Sequence, residues 1–245
     1  MSEISKVILK STIEVEEIQQ VGNDEMLARA AWVSTGQDRL TPQGEPINPE
    51  KVRGVLKYLI SNRHGTPFEH GSLTVRVDAP IKVWREWHRH RIGWSFNETS
   101  GRYKQLDPVF WMPPVERLMI RPEGFKSSRP AFDRATPEEY EKVKETLLAG
   151  YEESYDRYEQ LLAMQVDRGL ARDVLGVGIY SQCYCTANPR SIMAFLELRT
   201  EEANARRPSK PLWEIDNAAR QLEVIFAKHW PVTHTLWVEH GRMAP

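Results

Sequence analysis

The chain has 245 residues, 40% of them hydrophobic and 27% charged, and a formal net charge of −1. That length allows one large domain or at most two small ones, and near-neutrality argues against a general nucleic-acid coat, which carries a basic excess. No apolar run reaches the length of a membrane span and residues 1–10 hold no signal-peptide core, so the expected compartment is the cytoplasm.

In chain order, Val7 to Val15 alternates loosely and reads as a first strand. Asp24 to Ser34 reads as a short helix with Asp24 near its cap. Asn48-Pro49-Glu50 is a helix start, with a capping side chain, a first-turn proline and a first-turn acid. Val52, Val55, Leu56 and Leu59 carry its apolar stripe to about Ser61. Leu73, Val75 and Val77 alternate with Thr74, Arg76 and Asp78, the period of a half-buried strand. Pro80 opens a helix bearing Ile81, Val83, Trp84 and Trp87 toward Arg91. Lys104 to Ala135 is proline-rich and reads as an irregular surface excursion over the site.

Thr136-Pro137-Glu138-Glu139 forms a capping box. Behind it Tyr140, Val143, Leu147, Tyr151, Tyr155, Tyr158 and Leu162 keep helical spacing to about Arg168, an aromatic stripe that suits core packing better than base stacking. Ile179 to Thr186 reads as a strand, Asn188-Pro189 as a turn, and Ser191 to Ala205 as a helix. Pro211 starts a final helix that ends at Pro231. Cys183 and Cys185 are one residue apart, which suits neither a disulfide nor a CxxC element. They are expected as small buried thiols on either face of a strand. The fold class is α+β: a single domain over 1–245, an antiparallel sheet flanked by helices, one of them long (about 136–168).

The densest chemistry is Arg89-His90-Arg91, followed by Ser100-Gly101-Arg102-Tyr103. Guanidiniums present planar donor forks that suit phosphate and carboxylate, and clustering them is costly unless an anion answers. His88-x-His90 would split its two rings to different sides of a helix, so no metal site is expected. Between Arg76 and Lys104 seven Lys/Arg face three Asp/Glu amid aromatics, a pattern single-strand binders use, but Glu98 interrupts it and the rest of the chain offsets the charge. Ser100 has no nucleophile elbow, base or orienting acid around it. It suits an anion loop, with Gly101 permitting close approach and Arg102 closing. Arg172, Asn188-Pro189-Arg190-Ser191 at a helix start, and Arg199 add matching parts in the second half.

These segments together resemble the flavin-dependent thymidylate synthases. Arg89-His90-Arg91 with Ser100-Gly101-Arg102-Tyr103 is similar to the family's signature, although the eight residues between Arg91 and Ser100 are one more than usual, with Gly93-Trp94 as the place of the extra one. His64-Gly65-Thr66-Pro67-Phe68-Glu69-His70 resembles a second landmark. Ala171-Arg172-Asp173-Val174-Leu175, Asn188-Pro189-Arg190-Ser191 and Phe195-Leu196-Glu197-Leu198-Arg199 follow in order.

The resemblance implies a homotetramer, with sites shared between subunits, that methylates dUMP at C5 to dTMP. Methylenetetrahydrofolate would supply the carbon and NADPH would reduce FAD. It implies FAD contacts from His64, Thr66, Arg89, His90, Arg91, Glu98, Asn188 and Arg190. For dUMP it implies Glu86, Arg89, Glu98, Thr99, Ser100, Gly101, Arg102 and Arg172, with Arg199 acting on the uracil to favour its N3-ionised form. No metal, nucleic acid or membrane partner is expected. The rival readings are a flavin- or nucleotide-binding homologue impaired in catalysis and a single-strand binder.

Overall fold

The computed structural model describes residues 5–36, 47–124 and 132–245. They fall into two compact units, each assembled from separate stretches of chain.

The first unit comprises residues 5–13, 78–85 and 98–182. Strand β1 (Ile8–Lys10) ends sooner than the sequence suggests, because the chain breaks at 11–13 before β2 (Glu14–Val21) begins. The proline-rich stretch corrects the expectation of a surface excursion. Its strand β5 (Val109–Trp111) pairs in parallel with β1, and Phe110, Trp111 and Met112 are buried. Beyond it, β6 (Leu118–Ile120) and β7 (Asp133–Arg134) pair antiparallel; residues 125–131 of the expected excursion lie outside the described residues.

The capping box at Thr136 is formed on both sides, and it opens the long helix α4 (Pro137–Ala163). This helix ends earlier than about 168: the chain turns at Gln165, whose φ is 60°, and Asp167 caps a separate short helix, α5 (Arg168–Ala171). The tyrosine stripe of α4 is packing, and its hydroxyls explain why it is tyrosine. Tyr140 donates to Pro113 O (2.9 Å), Tyr151 to Trp111 O (3.0 Å) and Tyr155 to Leu106 O (3.0 Å), while Tyr158 accepts from Leu106 N (3.2 Å). Each ring buries its apolar body and satisfies a strand or loop backbone group with its tip. Phe110, Tyr155, Tyr158, Leu106 and Ile179 thus form one core that fixes residues 106–113 against the helix.

The second unit comprises residues 14–36, 47–77, 86–97 and 183–245 of the described chain. A four-stranded sheet runs in the order β2-β3-β8-β4, with β3 at Ser72–Pro80, β8 at Tyr180–Ala187 and β4 at Trp94–Glu98. β3 and β8 are antiparallel: Thr74 bonds Thr186 (2.9 Å), and Ile81 N bonds Ile179 O (2.9 Å), so one strand advances as the other retreats. Cys183 and Cys185 are both buried, but they share one face of β8 instead of flanking it, as the two-residue period of a strand requires.

Helix α1 (Asp24–Trp32) is capped by Asn23. Asp24 serves a different helix. Its carboxylate takes the backbone N–H groups of Val232 and Thr233, both at 2.9 Å, and the Thr233 hydroxyl at 2.6 Å. Those are first-turn donors of α8 (Pro231–Glu239), which has no cap of its own. Asn48 caps α2 (Pro49–Ser61) as expected. Helix α3 (Ile81–Trp87) stops at Trp87, short of Arg91.

Asn188 caps α6 (Pro189–Arg199), which ends six residues before the expected Ala205, with Thr200 as its C-cap. α7 runs over Trp213–His229. Pro231 ends it but also opens α8 as a first-turn proline, so the final helix of the chain is one the sequence reading lacks. Glu223 of α7 locks this end: it accepts from His234 (2.8 Å) and twice from Arg242 (2.8 and 2.6 Å). Burial alone would raise its carboxyl, but those bonds outweigh it and hold the pKa at about 2.

Candidate active site

In the first unit, β4 ends at Glu98 and the chain turns at once. Thr99 N donates to Gln182 O (2.8 Å), and Tyr103 N and Lys104 N both reach Ser100 O at 3.1 Å. Gly101 is buried inside this turn, where a Cβ would lie 3.1 Å from Arg172 Cδ and 3.3 Å from Leu106 Cδ1. A larger residue would press on both side chains, so glycine gives the turn its closest approach to Arg172. The result is a cavity of about 260 Å³ lined by Arg85, Glu98, Thr99, Gly101, Arg172 and Tyr180, among others.

Four of the expected substrate residues (Glu98, Thr99, Gly101 and Arg172) thus line one cavity. Ser100 stands in the same turn, its Oγ accepting from Arg102 N (3.3 Å). Arg102 does not line the cavity; its guanidinium packs over the Tyr103 ring at 5.8 Å. Arg85 was missed. It sits on the exposed side of α3, and nothing in the sequence distinguishes it from a solvated helix residue. Arg172 is exposed and has no carboxylate partner among the described residues.

In the second unit, Arg89-His90-Arg91 occupies the connection between α3 and β4, not a helix. An aromatic cluster anchors that connection. Trp87 stacks on Phe195 of α6 with centroids 4.5 Å apart, His90 meets the same ring edge-on at 5.0 Å, and Trp94 lies 5.4 Å from it. His88 turns the other way, against Phe96 at 4.7 Å, so the two histidines have separate surroundings.

The turn after Arg91 is fastened to the start of α6. The hydroxyl of Ser191 donates to Ile92 O (2.9 Å), and Gly93 has a φ of 69°. A Cβ on Gly93 would fall on Ser191 Oγ and within 2.8 Å of Asn188 Nδ2. The residue named as the place of the extra spacing is therefore one that only glycine can occupy, on both backbone and contact grounds.

Arg199, the last residue of α6, is largely buried and held at three points. Its Nε donates to His90 Nε2 (3.0 Å), its Nη1 to Glu86 Oε2 (2.8 Å) and its Nη2 to Glu86 O (3.3 Å). His90 must be neutral at Nε2 to accept that bond. Burial, reinforced by the charges of Arg199 and Arg89, pushes its pKa down to about 4. Burial also lowers the Arg199 guanidinium, against the opposing pull of Glu86. The site thus fixes one guanidinium with a carboxylate on one side and a neutral ring on the other.

The remaining expected residues of this unit are carried by the 64–69 turn, the start of α6 and the connection between α3 and β4. His64 and Thr66 are exposed at the start of a 3-10 turn, Thr66–Glu69. Behind Gly65 lies Arg190, close enough that a Cβ at 65 would meet its guanidinium. Arg190 pairs with Glu69 (2.6 Å) and donates to Pro245 O (2.9 Å); Glu69 is a partner the sequence reading did not name. Asn188 spends its Oδ1 on Ser191 N (2.9 Å) as the α6 cap. Arg89 and Arg91 are exposed, with no carboxylate partner among the described residues. Unanswered guanidiniums beside an aromatic cluster and a glycine cradle form a donor set suited to an anionic, aromatic ligand.

Known proteins agree with that chemistry. The family model described as thymidylate synthase complementing protein matches residues 18–232. The flavin-dependent thymidylate synthase of Streptomyces coelicolor is 42% identical over 98% of this chain and 96% of its own length. That of Tropheryma whipplei strain TW08/27 is 38% identical over 97% of each. Among solved structures, the UMP/dUMP methylase PolB of Streptomyces cacaoi, bound with 5-bromo-dUMP, superposes with a TM-score of 0.89 at 38% identity, covering 98% of this chain and 100% of that one.

Proposed function

Because the chain belongs to the flavin-dependent thymidylate synthase family, we propose that it methylates dUMP at C5 to dTMP, with FAD as cofactor, methylenetetrahydrofolate as carbon donor and NADPH as reductant. The observation that carries this reading is Arg199 fixed between Glu86 and His90. A permanent cation placed at the uracil N3 stabilises the N3-ionised pyrimidine and lowers the imide pKa, which makes C5 electron-rich without a covalent adduct.

The thiols support the same route. Cys183 and Cys185 are 1% and 0% exposed, so neither can serve as the attacking cysteine that other thymidylate synthases use. The nucleotide phosphate and ribose are assigned to Glu98, Thr99, Ser100, Gly101, Arg102 and Arg172, with Glu86 and Arg89 completing the set. The flavin is assigned to His64, Thr66, Arg89, His90, Arg91, Glu98, Asn188 and Arg190. Bound there, it supplies the redox chemistry. The residues themselves bind, orient and hold charge: Arg89 and Arg91 offer forks to phosphate, the Gly65 cradle admits close approach, and His90 stays neutral so that it can position Arg199. The reading includes one functional domain over 1–245 and a cytoplasmic location, both expected from the residue pattern, and a homotetramer with shared sites, from the family resemblance.

The test is tritium release from C5-labelled dUMP with methylenetetrahydrofolate and NADPH. Release that requires all three components is expected. A protein that retains flavin and dUMP yet releases no tritium is the catalytically impaired homologue instead.

A further inference from the structure

A second basic cavity, of about 280 Å³, lies in the second unit, lined by Ser61, Arg63, Arg206, Arg207, His240 and Met243, with Ile60. None of the residues assigned to flavin or dUMP lines it. Two helix C-termini form its frame. At the end of α2, His64 N bonds Leu59 O (2.8 Å) and Arg63 N bonds Ile60 O (3.2 Å). At the end of α8, Arg242 N bonds Trp237 O (2.9 Å) and Gly241 N bonds Val238 O (3.0 Å). These are paired Schellman closures, whose pivot residue takes a left-handed backbone.

At α8 the pivot is Gly241, with φ 79°; at α2 it is Arg63, with φ 58°, where glycine is the unstrained choice. Arg242 shares that conformation (φ 59°) but is bound to Glu223; Arg63 has no carboxylate partner among the described residues, and its long cation in that conformation is an outlier that points toward function. The 204–211 segment closes the cavity from the other side: Arg206 N donates to Gly241 O (3.0 Å) and Ser209 Oγ to Leu198 O (2.7 Å), so the loop is fastened, not free. His240 is fixed through both ring nitrogens, Nδ1 at Leu236 O (2.7 Å) and Nε2 at Ser61 Oγ (2.9 Å).

Among the described residues, no carboxylate lines this space. Two helix C-termini supply roughly half a negative charge each, against the three guanidiniums of Arg63, Arg206 and Arg207. Arg63 Nη2 donates to Ala244 O (3.4 Å), a contact that brings no opposite charge, so about two positive charges lack a counter-charge, and planar forks around a small cavity match a dianionic oxyanion. We propose that the cavity framed by Arg63, Arg206 and Arg207 binds a phosphoryl group, either free or carried on a nucleotide. This site is separate from the methylation reading and does not depend on it.

Titration calorimetry tests it on the full chain, loaded with flavin and saturated with dUMP so that those sites are filled. The probes are inorganic pyrophosphate and adenosine 2′,5′-bisphosphate. Wild type is expected to bind at least one of them with a salt-sensitive affinity. Arg63→Gly, which suits the left-handed backbone and so preserves the fold, should weaken that binding at least tenfold. So should Arg206→Ala/Arg207→Ala, with flavin absorbance and dUMP affinity unchanged in both. Preference for pyrophosphate identifies a free inorganic ligand, and preference for the bisphosphate identifies a nucleotide. Absence of binding to both probes, or equal binding by wild type and both variants, overturns the proposal. If the protein holds neither flavin nor dUMP, the methylation reading fails, and the same titrations on the bare chain still decide this one.

Discussion

Two arginines, one in each unit, are handled in opposite ways. In the first, Arg172 borders a cavity with no carboxylate partner among the described residues, and the turn at Gly101 does the shaping. In the second, Arg199 has its own carboxylate and a neutral acceptor, and it is largely buried. An unpaired, exposed arginine gains its partner only when an anionic ligand arrives, so it contributes to binding. A pre-paired and desolvated arginine has a fixed direction before any ligand arrives, so it contributes to the reaction, where preorganised charge matters most.

That contrast is most exposed to failure at Arg199. Replacing it with Ala should lower kcat by about 10²–10³-fold, the usual loss when one preorganised charge is removed, with flavin retention nearly intact. Steady-state kinetics alongside the flavin spectrum check it. A variant that lost flavin while keeping its turnover per bound flavin would place Arg199 in binding, and the distinction between the two arginines would collapse.

The partner His90 gives the next largest effect, and it is read in pH. An unfolded imidazole protonates near 6.5, whereas the folded one does so only at about 4. Between those values the unfolded state binds the extra proton, so stability falls as pH drops through the window and His90 adds no slope above it. The full shift corresponds to about 3.4 kcal/mol, and solvent screening of this part-exposed ring reduces the expected loss to roughly 2 kcal/mol across the window. Denaturant titrations at pH 7, 5.5 and 4.5 should show it, and His90→Asn should flatten it. Glu223 contributes its own acid loss, but only as pH falls from about 4.5 toward its folded value of about 2, so the two groups separate on the pH axis.

Arg172→Ala should act on the other side of the comparison. It is expected to weaken dUMP binding by about 10–100-fold, the scale of one lost charge-assisted bond, while kcat at saturating dUMP changes little. A large drop in kcat with unchanged affinity would show that the exposed arginine acts in the reaction after all.

Much of this was legible in the sequence wherever a local rule decides the outcome. The Thr136 capping box, the Asn48 cap and the alternating strand at 73–77 depend on neighbours a few residues away, and they form as read. The grouping of Glu98, Thr99, Gly101 and Arg172 was legible through the family resemblance. What was not legible depends on distant partners. Pro231 reads as a stop, yet α8 begins there because Asp24 caps it from across the chain. The prolines of 104–135 suggest surface, yet Val109–Trp111 is a buried strand because Ile8–Lys10 supplies its ladder and Tyr151 of α4 a further backbone partner, at Trp111 O. Arg85 and Glu69 carry no local signal at all; only folding sets them beside Arg172 and Arg190 respectively.

The smallest effect separates scaffold from site. Gly150 lies within α4, and a Cβ there meets nothing within 4 Å, so Gly150→Ala should gain up to about 1 kcal/mol from helix propensity alone. Because α4 fixes Leu106 through Tyr155 and Tyr158, the stiffer helix should leave the cavity beside Gly101 unchanged. Thermal unfolding measures the gain, and dUMP affinity in the same variant measures the coupling. A rise in stability with unchanged affinity means the cavity of the first unit is already as rigid as binding needs. An affinity that shifts with the helix means instead that the turn at 99–103 stays adjustable, and that its exposed Arg102 is ordered by the ligand and not before it.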